Sequence, residues 1–222
     1  MAGVIGHILP LALAVALSSI PIIAVILILL SPTPPAVGIA FMIGFTAGVF
    51  LVVSVLSVGF RLIPQPTASN PPFWQGLVEI LAGIVLTVYA SISWYRASKS
   101  DMDPSLPKWM SALNHLNLFS AVGVGFALAF RPKNLLLSIA AGVEIGSAGL
   151  GVAESLIPLG IFTVVGVCTV AGPVVGYTLL GKKMEDTLNA TREWVVRNNH
   201  SVTSVVLIMA GVVILGAGIA RL

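Results

Sequence analysis

Charge is what this chain has least of. Its 222 residues include 11 Lys and Arg and 8 Asp and Glu, so 9% are charged while 57% are hydrophobic. A soluble domain carries about 25% charged residues. The deficit leaves too little polarity to cover a water-facing surface and implies one that faces lipid. A mean hydropathy of +1.05 agrees. Polar stretches are short, which leaves one membrane domain over residues 1–222 and no room for a separate soluble one.

Cysteine and histidine are also scarce. The single cysteine, Cys168, excludes an internal disulfide and a dithiol redox pair, and its apolar neighbours make it a small packing residue. His7, His115 and His200 are scattered and form no metal-ligand set. No nucleophile elbow, Walker loop or zinc-protease motif is present, so neither an enzyme nor a cofactor is expected. The net charge of +3 comes without a basic stripe interleaved with aromatics, which argues against a nucleic-acid partner. Met1–His7 lacks the basic start of a secretory signal, and the apolar run continues to Leu30, so it reads as a retained transmembrane helix.

What is present is a series of apolar runs near the 20 residues a spanning helix needs. Six are expected: Ile8–Leu30, Val37–Phe60, Phe73–Tyr95, His115–Val143, Pro158–Leu180 and Val202–Ala220. Prolines interrupt the first and fourth. Trp74 and Trp94-Tyr95 bracket the third as interfacial anchors do. Glu144–Ile157, Gly-rich and holding Glu154, reads as a short interfacial or re-entrant segment. Gly181–Ser201, with Lys182, Lys183, Glu185, Asp186, Arg192, Glu193 and Arg197, reads as a short amphipathic helix at the membrane surface. The fold class is therefore an all-α polytopic membrane protein with six transmembrane helices.

A weak internal echo divides the chain into halves of about 1–111 and 112–222. Ala16-Leu17-Ser18-Ser19-Ile20-Pro21 matches Ala127-Leu128-Ala129-Phe130-Arg131-Pro132 at three of six positions and an offset of 111 residues. Leu81–Val85 likewise echoes Met209–Val213. Three spans per half would invert the second half relative to the first. Transporters built from such 3+3 inverted repeats bind substrate at mid-depth, where broken helices meet.

The candidate site residues lie at those breaks. Arg131 and Lys133 put two cations inside an apolar run, where each costs about 2.5–3.5 kcal/mol at the bilayer centre. Pro132 removes a backbone donor, and a helix restarting after it aims N–H groups and a positive dipole end at an anion. Asn134 adds an amide for a polar head. The competing explanation is that both cations snorkel to the interface or pair with Glu79, Glu144 or Glu154. Ser18 and Ser19, beside Pro21, are the counterpart in the first span, either touching substrate or satisfying loose backbone groups. Glu79 is a proton site, a partner of Arg131 or an interfacial carboxylate. Gly44/Gly48, Gly142/Gly146 and Gly172/Gly176 have the G-x-x-x-G spacing of close helix approach, which also suits a homodimer.

Four stretches, in order, resemble one family. They are Leu27-Ile28-Leu29-Leu30-Ser31-Pro32, Gly38-Ile39-Ala40-Phe41-Met42-Ile43-Gly44-Phe45, Arg131-Pro132-Lys133-Asn134-Leu135-Leu136-Leu137 and Trp194-Val195-Val196-Arg197-Asn198-Asn199. Together they resemble the GAP or sulfolipid-addressing-like family of actinobacterial membrane proteins, within the LysE superfamily of exporters. The third looks like that superfamily's N-P-K-N pattern with Arg131 replacing the first Asn. The resemblance implies a six-span exporter-like fold in the plasma membrane. It also implies a role in moving cell-envelope glycolipids, with membrane lipids and a larger lipid-export machinery as partners.

The expected function is a transporter or flippase for a polar or anionic lipid whose head sits near Arg131, Lys133 and Asn134. The alternatives are a non-transporting scaffold of a lipid-export complex and a small-solute exporter. Orientation follows from Lys and Arg counts. Connections 1–2, 3–4 and 5–6 hold seven, against two for the remaining loops and termini, which places both termini outside the cytoplasm. A reporter active only outside the cytoplasm should work at either terminus, and activity of a cytoplasm-only reporter there would reverse the assignment.

Overall fold

The computed structural model describes residues 1–62 and 116–220, with isolated positions 80, 81, 84, 87, 88, 91, 92 and 95 between them. The helices are α1 Ala2–Ala16, α2 Ser19–Leu30, α3 Pro35–Leu62, α4 Leu118–Ala129, α5 Pro132–Ser147, α6 Val152–Leu180 and α7 Glu185–Ala220. A 3-10 turn, Gly181–Met184, joins the last two. No strand occurs among the described residues. Helices are the outcome that apolar runs of this length dictate, because each satisfies its own backbone where water cannot.

Two stretches, Pro35–Arg61 and Val152–Asn198, are long and apolar enough to cross a membrane. The count rises to four if each of two bent pairs is one span. Those pairs are α1–α2, bent by 48°, and α4–α5, bent by 66°. They correspond to the first and fourth expected spans. Of the third, Phe73–Tyr95, only the eight isolated positions named above are described, and all are helical. The sixth forms the second half of α7, with an apolar stretch at Ser204–Val213.

Three expectations need correction. The first span breaks at Leu17-Ser18, ahead of Pro21, which is the third residue of α2. Pro21 lacks the N–H that would bond the Leu17 carbonyl, and its ring crowds that carbonyl, so the helix gives way one turn earlier. Glu144–Ile157, expected as a short interfacial or re-entrant segment, does not form a separate segment: α5 runs to Ser147, a turn follows, and α6 starts at Val152. Glu154 Oε2 accepts from the Gly151 amide at 3.0 Å, which places its charge at the positive end of α6. Gly181–Ser201 is not a separate amphipathic helix either. After the 3-10 turn, α7 is continuous through Ala220, because no Gly or Pro interrupts residues 185–210.

Glycines set the packing. A Cβ on Gly44 would collide with the Val122 carbonyl, and one on Gly48 would lie 2.6 Å from Ala129 Cβ. A Cβ on Gly142 would lie 2.7 Å from Leu56 Cβ. Gly146 in turn sits against Ser57 and Phe60. As α3 advances, its partners advance along α4 and then α5, so α3 runs parallel to the bent pair. Two of the three G-x-x-x-G pairs thus serve packing within the chain.

α6 starts beside the end of α3 and runs back along it, where Arg61 donates to the Gly151 carbonyl at 3.3 Å. α1 lies parallel to α6: Val15 Cγ1 is 3.4 Å from the Cβ position of Gly166, and Ala16 meets Thr169. α1 is therefore antiparallel to α5, against which it packs.

Leucine at Gly44 should separate α3 from α4, with an overpacking penalty of about 1–3 kcal/mol. Leucine at Gly123, which has nothing within 4 Å, should leave stability unchanged or raised. Thermal unfolding of the purified variants in detergent should show a lower Tm for Gly44→Leu only.

Candidate functional site at the two helix breaks

Pro132 is the first residue of α5 and cannot donate to Leu128, four residues back. The Leu128 carbonyl is satisfied instead by the Asn134 side chain, whose Nδ2 donates to it at 3.3 Å, and by the Arg131 amide at 3.4 Å. Asn134 is fully buried. That bond fixes its amide and leaves Oδ1 with no hydrogen-bond partner among the described residues. Lys133 Nζ is likewise buried and without a partner. Arg131 is the half-exposed N-cap residue of α5, and its carbonyl accepts from the Leu135 amide at 2.8 Å.

The first break is built differently. There Thr169 Oγ1 donates from α6 to the Ala16 carbonyl at 2.5 Å. Ser18 is the N-cap of α2, but its side chain makes no capping bond. Ser18 and Ser19 are both buried, and Ser19 Oγ has no partner.

Two rulers give the height of the breaks. Gly48, at the centre of α3, lies against Ala129, the last residue of α4. Gly166, at the centre of α6, lies against Val15 near the end of α1. Both breaks are therefore at mid-height of the long helices. A third measure starts at the far end, where His7 Nδ1 lies 2.5 Å from Glu144 Oε1. Counting from that contact, Ser18 along α1 and Lys133 along α5 are each about 16 Å away at 1.5 Å per residue. Ser18, Ser19, Arg131, Lys133 and Asn134 thus share one level, on helices that are neighbours or continue from neighbours.

At that level two helices end and two begin. The starts of α2 and α5 carry the positive dipole ends, and the ends of α1 and α4 the negative ones. Free N–H groups, an ammonium and a half-exposed guanidinium can hold an anion there. The unpartnered oxygen of Asn134 is free to accept a hydrogen bond. A buried polar atom left unpaired costs about 1–3 kcal/mol, and a charge more.

Glu79 lies outside the described residues. Glu144 and Glu154 belong to the far end, so neither pairs with Lys133. Ser138 was missed by sequence reasoning: it is one turn beyond Asn134 on the same face, 1% exposed, and its Oγ has no partner. The four-residue spacing was the signal that would have found it. No group of three or more His, Cys, Asp and Glu suited to a metal occurs among the described residues.

No curated protein and no solved structure matches the chain. A family profile, described as Sap, sulfolipid-1-addressing protein, matches residues 8–220. That match takes in both breaks and all the described helices except the start of α1, and the chain belongs to the sulfolipid-1-addressing protein family.

Proposed function

We propose that the protein is a plasma-membrane exporter or flippase for a polar or anionic lipid, with a cell-envelope glycolipid as the substrate class, and that its head binds between the two helix breaks. The observation that carries this reading is the pair Lys133 Nζ and Asn134 Oδ1. Both are buried and, among the described residues, unpartnered, at the start of a helix that begins at mid-height.

The two breaks, at Ser18 and Arg131, are separated by about half the chain, which favours the 3+3 inverted repeat and the exporter-like architecture that goes with it. Leu136, Val164 and Leu156 expose apolar side chains on α5 and α6, a surface along which lipid tails can remain in the bilayer. The start of α1, the end of α3 and the α5–α6 turn share one end, and the Lys182-Lys183 turn follows α6 at the other. That arrangement fits an orientation with the amino terminus outside the cytoplasm.

A second reading is a scaffold for a larger lipid-export machinery. It is favoured by the charged first half of α7, where Trp194 is exposed. Reconstitution separates the two, because only a transporter moves a labelled anionic glycolipid across liposomes made with the purified protein alone. Lys133→Ala and Arg131→Ala should each slow that movement roughly tenfold to a hundredfold, the loss expected for one charge-assisted hydrogen bond. Lys133→Arg should retain part of it. Undiminished movement in both alanine variants would remove the site from these residues.

A further inference from the structure

Side-chain hydrogen bonds between helices distant in sequence are few among the described residues, and they are unevenly placed. Thr169 to Ala16 belongs to the first break. The others gather at one end of the bundle. His7 of α1 meets Glu144 of α5, and Arg61 of α3 donates to the Gly151 carbonyl and to Ser155 Oγ at the start of α6. At the opposite end the side-chain bonds stay local, as with Ser31 and Thr33 on the Ile28 carbonyl, or Asn117 with Ser120.

These contacts join two packed units. One is α3 with α4 and α5, held at glycines whose Cβ positions are blocked by the facing helix. The other is α1 with α6, held at Gly166 and by the Thr169 bond. Each contact at the end reaches from one unit to the other. Ile8 of α1 and Ile145 of α5, each next in sequence to a member of the His7–Glu144 pair, are 0% exposed, and so is Phe162 of α6, about two turns inward of Ser155. Of these, Phe162 lies between the contacts and the mid-height level of Lys133.

We infer that the His7–Glu144 and Arg61–Ser155 contacts are a closed gate: they hold the α1–α6 unit against the α3–α4–α5 unit, and parting them opens a path from that end to Lys133 and Asn134. The chemistry suits a gate. The His7 side chain is 58% exposed, and an exposed pair of this kind contributes little stability, so it opens and recloses readily. The buried apolar side chains around it stay out of solvent only while the two units stay together. The inference rests on the proposed transport site, and its test reads access to that site without measuring lipid movement.

Ser138, one turn beyond Asn134, supplies the reporter. In a Cys168→Ser background, Ser138→Cys in sealed vesicles is exposed to a membrane-impermeant methanethiosulfonate reagent. The reagent is applied from the side on which a separate Val152→Cys reacts, since Val152 is exposed at that end. With the contacts intact, Ser138→Cys should react slowly. Adding His7→Ala with Arg61→Gln should accelerate it at least about tenfold, a shift of about 1.4 kcal/mol in the opening equilibrium, with the Val152→Cys rate unchanged. Glu144→Gln alone, which keeps the side-chain shape, should give a smaller increase and guards against misfolding of the double variant. Equal Ser138→Cys rates with and without the contacts, in protein of unchanged Tm, would overturn the gate.

Discussion

A helix cannot pass a proline without losing the bond four residues back, and here that loss falls in the middle of a bundle where water is not at hand to replace it. The site follows from that constraint. The Leu128 carbonyl must be met by something other than Pro132, and Asn134 meets it. Doing so holds one end of the amide and turns the other into a buried acceptor. At the first break the Ala16 carbonyl is met from outside, by Thr169. One break is repaired by its own helix and the other by a neighbour, so the second depends on α6 staying against α1.

The breaks also explain the glycines. A bent pair of half-helices follows a straight helix only if the straight one lets it come close. α3 does so with Gly44 and Gly48 against α4, and α5 returns the arrangement with Gly142 and Gly146 against α3. The close approach brings Ala129, and with it Arg131 and Lys133, to the centre of α3. Two cations near a headgroup would be ordinary. The same two at the middle of a long apolar helix are costly, and the buried Nζ of Lys133 has no partner among the described residues to offset it.

Much of this was legible in the chain. Apolar run length gave the helices, and Pro132 marked where α5 restarts, although the helix takes in the proline itself and does not begin after it. The weak match between residues 16–21 and 127–132 pointed to both breaks. Other features were hidden for physical reasons. Pro21 acts on the turn before it, so the kink lies at Leu17-Ser18 and not at the proline. Glu154 looked like part of a polar interruption because an isolated carboxylate in sequence does not reveal that it will meet a helix amino terminus. The charged start of α7 resembled a separate surface helix because charge density says nothing about where a helix stops. Glycine, proline or a cap decides that, and none falls between 185 and 210. Ser138 was passed over because a serine among leucines and alanines is unremarkable until its face is known to be buried.

The height of the breaks carries one more consequence. Half of a helix as long as α3 is about 20 Å, so a group held beside Lys133 is that far from either surface. A lipid whose head reached this level would have left its own leaflet without entering the other. Its chains could no longer stand along the bilayer normal beneath the head, and would have to leave sideways between helices. Such a molecule belongs to neither leaflet, and the two directions of return differ only in which side of the break gives way.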